Sequence, residues 1–257
     1  MRELVTIDLS EGEGSARLTL NRPDVGNSID SATADALLDA VVRVAEDEAV
    51  RVVVLTGAGR MFCAGGDVRA FAATADSEAA VIARITAPLH AAINRLAQMD
   101  KPLVTMINGP AAGAGLGLAL LGDIVIAARS AHFTSAYTAI GLSPDGGTSW
   151  LLPRVVGLRR AQEMILTNRR VTADEALTMG MITQVTDDAA LEDIVAALVA
   201  MLASAPTAAL GRSRRLLLAS SSRDLPGQLE QEARAIATSA KSEEGRTGIA
   251  GFLARHR

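Results

Sequence analysis

Aromatic residues are only 2% of this 257-residue chain, with a single tryptophan, Trp150, and a single tyrosine, Tyr137. Binding of nucleic acid by base stacking needs more aromatic platforms than that, and the core has to be built mostly from Ala, Val, Leu and Ile. Cys63 is the only cysteine, so no intrachain disulfide can form. Three scattered histidines, His90, His132 and His256, make no metal-ligand spacing with it, and no metal is expected; His132 and His256 read as structural or surface residues. A net charge of −4 leaves no footprint for nucleic acid or for an anionic membrane. The longest uncharged stretch, about residues 102–122, carries Pro102 and Pro110 and divides into a strand-like and a helix-like part, a poor candidate for a membrane span. "MRELVTIDLSEGEG" at the start has no apolar signal region. These absences point to a soluble cytoplasmic protein with no nucleic-acid or membrane partner.

What is present is an ordinary globular balance, 49% hydrophobic and 21% charged, at a length that allows one large domain or one with a smaller appendage. "LVTIDL" and "ARLTLN" alternate apolar and polar, which predicts a hairpin across the turn-like "SEGEGS". "RVVVLTG", "PLVTMING" and "DIVIAA" read as buried strands, with "AHFT" and "MITQV" as further short ones. Helices are expected over about 31–48, over 77–99 with a kink at Pro88, and over 113–121. "TADEALTMG" opens with a capping box, Thr172 to Glu175, and ends at Gly180. Beyond about residue 188 only helical patterns remain: 189–203, 207–219, 225–240 and 243–254. Strands alternating with helices imply parallel pairing, so the division expected is an α/β body over 1–188 and a helical region over 189–257, packed on that body, on a neighbouring subunit, or on both.

"NGPAAGAGLGLALLGDIVIA", residues 108–127, invites a phosphate-site reading because glycines open an apolar helix. That reading fails. A P-loop needs Gly-Lys-Ser/Thr where Leu116 and Gly117 stand, and a dinucleotide fingerprint needs a third glycine where Leu120 stands. The free N–H groups at a helix start near Gly113, with small residues beside them, still suit a developing negative charge; tight helix packing is the equally open alternative. "GRMFCAGGDV" also follows a buried strand and also offers small residues. Two such loops facing each other would hold one oxyanion between two backbone donors.

Five segments together carry a resemblance: "NRPDVGNSID", "VVVLTGAGRMFCAGGDV", "KPLVTMINGPAAGAGLGLALLGDIVIAARSAHF", "IGLSPDGGTSWLLPRVVGLRRAQEMILTNR" and "ADEALTMGMITQV". In this order and over essentially the whole chain, they resemble the crotonase (enoyl-CoA hydratase/isomerase) superfamily. The resemblance implies an α/β spiral of ββα units with a helical C-terminal region that builds trimers or dimers of trimers. It implies an acyl-CoA thioester as ligand, with coenzyme A part of the substrate and no separate cofactor. By motif position the oxyanion donors would be the N–H groups of Ala64 and Ala114, with Gly113 beside the second. Gly65, Gly66 and Asp67 look like the stretch lining the CoA nucleotide portion, or, for Asp67, like a carboxylate tying down its own loop.

The same resemblance implies which chemistry is missing. Hydratases of the family activate water between two glutamates, and those positions hold Gly117 and Tyr137 here. Adding water needs a group that takes and returns a proton, so hydration is the weaker alternative. Asp145 in "GLSPDGG" is the carboxylate left in the motifs, and isomerase-like members often place their base in this segment. Asp145 can therefore shuttle a proton; otherwise it only sets the turn with Pro144 and Gly146. His90, Tyr137 and Asp145 fall where the family's 4-chlorobenzoyl-CoA dehalogenase has a histidine, a tryptophan and a nucleophilic aspartate, and "LRRAQEMILTNR" is similar to that enzyme too. The expectation is an enoyl-CoA or ring-epoxide acyl-CoA isomerase. The alternatives are a hydratase, an aryl-CoA dehalogenase or thioester hydrolase, and a non-catalytic acyl-CoA-binding protein.

Overall fold

The structure is a computed structural model that describes residues 2–10, 14–72 and 77–255. Its strands are β1 (Val5–Ser10), β2 (Ser15–Leu20), β3 (Val52–Gly57), β4 (Leu103–Ile107), β5 (Ala111–Ala112), β6 (Ile124–Ala128), β7 (His132–Thr134), β8 (Val171–Thr172) and β9 (Gln184–Thr186). Its helices are α1 (Ser31–Glu46), α2 (Val68–Ala72), α3 (Glu78–Gln98), α4 (Ala114–Leu120), α5 (Thr148–Val156), α6 (Leu158–Thr167), α7 (Ala173–Thr178), α8 (Leu191–Ser204), α9 (Thr207–Ser220), α10 (Leu225–Lys241) and α11 (Glu243–Arg255).

Six strands form one sheet in the order β1-β2-β3-β4-β6-β9, and β5, β7 and β8 form a second. The expected hairpin forms, with Val5 opposite Leu20 and Ser10 opposite Ser15. The other pairings in the six-stranded sheet are parallel, as strands joined through helices require. Every residue of β3 is buried, because both faces of the sheet are covered. Val53, Leu55, Leu103 and Ile107 belong to the core shared with α1 and α3; Val52, Val54, Val104 and Met106 face Leu191, Val195 and Val199 of α8. An alternating set on each side explains why these strands read as continuous β-branched runs.

Local chemistry starts the helices. Asp30 accepts from Thr33 N–H at the head of α1, Ser77 from Ala80 N–H at the head of α3, and Thr172 from Glu175 N–H at the head of α7. Helix α3 continues through Pro88. Helices α5 and α6 have no counterpart in the sequence reading: Pro153 lies inside α5 and Gly157 separates the two, both of which look like breakers in isolation.

The region after residue 188 is not uniform. Helix α8 closes the sheet, and α9 is anchored by Arg214, 8% exposed at its side chain, which binds Asp123 and donates to the carbonyls of Met99 (2.8 Å) and Leu96 (2.7 Å). Helices α10 and α11 bury no residue and leave Leu225, Leu229, Ile236, Ile249, Phe252 and Leu253 exposed. Among the described residues no single helix is long and apolar enough to cross a membrane.

Candidate active site

Two loops leave the ends of neighbouring parallel strands, β3 and β4, and lie against each other. Ala112 N–H donates to the Cys63 carbonyl (2.9 Å), a one-residue parallel bridge between Cys63 and Ala111. The first loop is held from outside: the Asn27 amide donates to the carbonyls of Ala58 (2.9 Å) and Met61 (2.7 Å). Contact between the loops depends on Gly65 (φ +94°) and Gly113 (φ +54°). A Cβ on Gly65 would lie 2.8 Å from the Ala112 carbonyl oxygen and 3.3 Å from Ala114 N.

Ala64 N–H donates to the Gly26 carbonyl (2.9 Å), Gly65 N–H to the Cys63 sulfur (3.4 Å), Asp67 N–H to the Ile29 carbonyl (2.9 Å) and Gly113 N–H to the Thr134 carbonyl (3.2 Å). Gly66 N–H and Ala114 N–H, the latter in the first turn of α4, donate to nothing, and both residues wall the same cavity. This corrects one assignment. The N–H of Ala64 is already engaged, and the unpartnered donor of that loop is Gly66, two residues on.

The cavity has a volume of about 610 Å³. Ala79, Ile82, Ala83 and Leu89 of α3, with Thr86 among them, form one mostly apolar wall at helical spacing, and Ile140 and Leu142 form another. At its floor the Tyr137 hydroxyl donates to Asp145 Oδ1 at 2.6 Å. Burial, then the negative charge of Asp145, pushes the Tyr137 phenol far above its ordinary range, so it stays a donor. Asp145 Oδ2 has no partner within hydrogen-bonding distance; His90 Nε2 is 3.9 Å away. His90 is not on the cavity wall. It borders a separate groove with Trp150 and Leu151, and its Nε2 accepts from Gly146 N–H at 3.2 Å.

Other expected site residues are elsewhere. Gly65 packs under Gly113 rather than on the wall. Asp67 turns back to Arg22 (3.1 Å), which also meets Asp30 (3.2 Å) and the Ser28 carbonyl (2.7 Å), so its carboxylate ties down its own loop. His132 contacts Arg170 at 3.0 Å; His256 lies outside the described residues. Cys63 is fully buried and its thiol is pushed up to about 12 by burial. Among the described residues no three His, Cys, Asp or Glu side chains are grouped to hold a metal ion.

Residues 10–257 match the enoyl-CoA hydratase/isomerase family. The chain belongs to that family. As a member it is an enzyme. It is 40% identical over 247 residues to the 1,2-epoxyphenylacetyl-CoA isomerase of Escherichia coli, covering 95% of this chain and 93% of the relative. It is 35% identical to 4-chlorobenzoyl coenzyme A dehalogenase-2 of an Arthrobacter species, covering 91% and 85%. The crystal structure of an enoyl-CoA hydratase from Polaromonas superposes with a TM-score of 0.92 at 30% identity, covering 98% of this chain and 97% of that one. The chain is thus similar to relatives named for different chemistries.

Within the family fold, Gly117 is not a gap awaiting a side chain. A Cβ there would lie 2.2 Å from the Gly146 carbonyl oxygen and 3.0 Å from Thr148 Oγ1. The backbone of the Asp145–Gly147 turn fills the space beside α4. Two left-handed glycines, Gly146 (φ +58°) and Gly147 (φ +79°), let the turn come that close. Sequence patterns missed this packing, because it joins two segments that are distant in the chain.

Proposed function

We propose that this enzyme is an acyl-CoA isomerase in which Asp145 carries a proton between Cα and Cγ of an enoyl thioester. The observation that carries the reading is the Asp145 carboxylate on the cavity wall, with one oxygen held by Tyr137 at 2.6 Å and the other unpartnered. Asp145 removes a Cα proton from a 3-enoyl-CoA, and the electron pair moves into the thioester carbonyl to give a dienolate. The N–H groups of Gly66 and Ala114 supply the donors for that oxygen; one such donor is typically worth about 3 kcal/mol in the transition state. Asp145 then returns the proton at Cγ and leaves the 2-enoyl isomer. No water enters the balance, which accords with the absence of a carboxylate at Gly117 and Tyr137. The apolar α3 wall suits an apolar acyl group. The Escherichia coli relative is named for isomerising an epoxyphenylacetyl-CoA, which likewise carries its acyl group on a coenzyme A thioester.

The test follows a 3-enoyl-CoA in heavy water by mass spectrometry. Expected are conversion to the 2-enoyl isomer, deuterium entry where the shuttled proton exchanges, and little 3-hydroxyacyl product. Asp145→Asn keeps the shape and loses the base, so kcat falls about 100-fold or more with thioester binding retained. Ala114→Pro removes one oxyanion donor. Rapid formation of 3-hydroxyacyl-CoA from a 2-enoyl-CoA, or an unchanged rate in Asp145→Asn, refutes the proposal. A second reading, nucleophilic attack by Asp145 on an aryl ring, draws support from the likeness to the dehalogenase. Halide release with a covalent adduct on Asp145 would establish it.

A further inference from the structure

We propose that His90 is a positioning residue that acts on Asp145 through the peptide of Gly146 and carries no proton itself. Gly146 is buried in a turn of two consecutive left-handed glycines; the carbonyl side of its peptide, Asp145 O, accepts from Thr148 N–H at 3.0 Å. Its N–H donates to His90 Nε2 at 3.2 Å and to nothing else. A peptide N–H cannot accept a hydrogen bond, so the nitrogen facing it must present a bare lone pair. In that form Nε2 has no hydrogen to give Asp145 Oδ2, 3.9 Å away, and Oδ2 stays open to the substrate.

The tie has a clear mechanical role. Helix α3 supplies His90 and the apolar wall of the cavity. The Tyr137 hydroxyl holds Asp145 from one side, and His90 holds the next peptide from the other. The carboxylate is thus held at one oxygen by Tyr137 and, through the backbone, by the peptide that follows it. Without His90, the buried Gly146 N–H loses its acceptor, and the peptide is held on its carbonyl side alone, by Thr148 N–H, so it can tilt toward solvent to find a new partner. The Asp145 side chain moves with it.

This inference rests on Asp145 as the proton carrier, and the experiment separates the two ideas. His90→Leu removes the acceptor; His90→Gln restores one, since the side-chain amide oxygen reaches the position of Nε2. Turnover is measured with trans-3-hexenoyl-CoA, binding with hexanoyl-CoA, and exchange of the Gly146 amide by NMR on the whole protein. In His90→Leu, kcat should fall about 10- to 100-fold, as small misplacements of catalytic groups do, with hexanoyl-CoA affinity within about threefold, since His90 is off the wall. Gly146 exchange should quicken about tenfold or more. His90→Gln should recover most of both. Wild-type turnover and exchange in His90→Leu overturn the inference, and so does a His90→Gln variant as impaired as His90→Leu. An active Asp145→Asn variant sinks the isomerase reading instead, and the exchange measurement then still decides whether His90 holds the turn.

Discussion

Gly117→Ala sets two effects of opposite sign against each other. Gly117 lies inside α4, where alanine is ordinarily favoured over glycine by about 1 kcal/mol. Here the added Cβ would sit 2.2 Å from the Gly146 carbonyl oxygen, more than an ångström inside ordinary contact, and 3.0 Å from both the Gly146 carbonyl carbon and Thr148 Oγ1. The opposing atoms are mostly backbone and cannot swing aside as a side chain would. Overpacking costs about 1–3 kcal/mol, with this contact at the upper end, so a net loss of about 1–2 kcal/mol is expected. For a chain of this length that lowers Tm by about 2–8 °C. The relief available is to push the turn outward, which moves Asp145 away from the Ala114 donor and lowers kcat by about 100-fold. Gly248→Ala is the control: it lies exposed in α11 with nothing within 4 Å of an added Cβ, so it should stabilise by up to about 1 kcal/mol and leave kcat alone. Thermal unfolding and steady-state turnover of both variants decide the matter. A Gly117→Ala enzyme that is more stable than wild type and equally active would show that the turn does not pack as described.

Tyr137 is the only tyrosine, so ultraviolet absorbance follows its ionisation directly. Because burial and Asp145 raise its pKa well above the ordinary 10.0, no phenolate signal should grow in near pH 10–11 while the protein is folded. The unfolded chain ionises there first, so stability is present below about pH 10 and is lost as pH rises beyond it; a native phenolate near pH 10 contradicts the buried pairing. Helices α10 and α11 expose Leu225, Leu229, Ile236, Ile249, Phe252 and Leu253, and together with the family resemblance this leads us to expect a trimer or dimer of trimers by light scattering. A stable monomer at micromolar concentration counts against that.

Much of the fold was legible because its signals are local. Alternation marked β1 and β2, β-branched runs marked β3 and β4, and the capping box at Thr172 marked the start of α7. Helices α5 and α6 were not legible: the internal Pro153 and the boundary Gly157 suggest a broken chain, and only packing within the folded body overrides that.

By itself the sequence determined which side chains are available: one tyrosine, a carboxylate at Asp145, none at Gly117, and small residues in two loops. Through its resemblance to the crotonase family, it implied enolate chemistry on a thioester and Asp145, Tyr137 and His90 as a group. Only the tertiary structure decided how they are used. It engaged Ala64 N–H with Gly26 and left Gly66 free; it turned Asp67 toward Arg22; it filled the space at Gly117 with the Gly146 carbonyl; and it joined His90 to a peptide 56 residues away rather than to the cavity. The physical reason is that each contact joins segments distant in the chain. Residue type states what a group can donate or accept, but a backbone N–H has one partner at a time, and that partner is set by whichever distant segment packs against it.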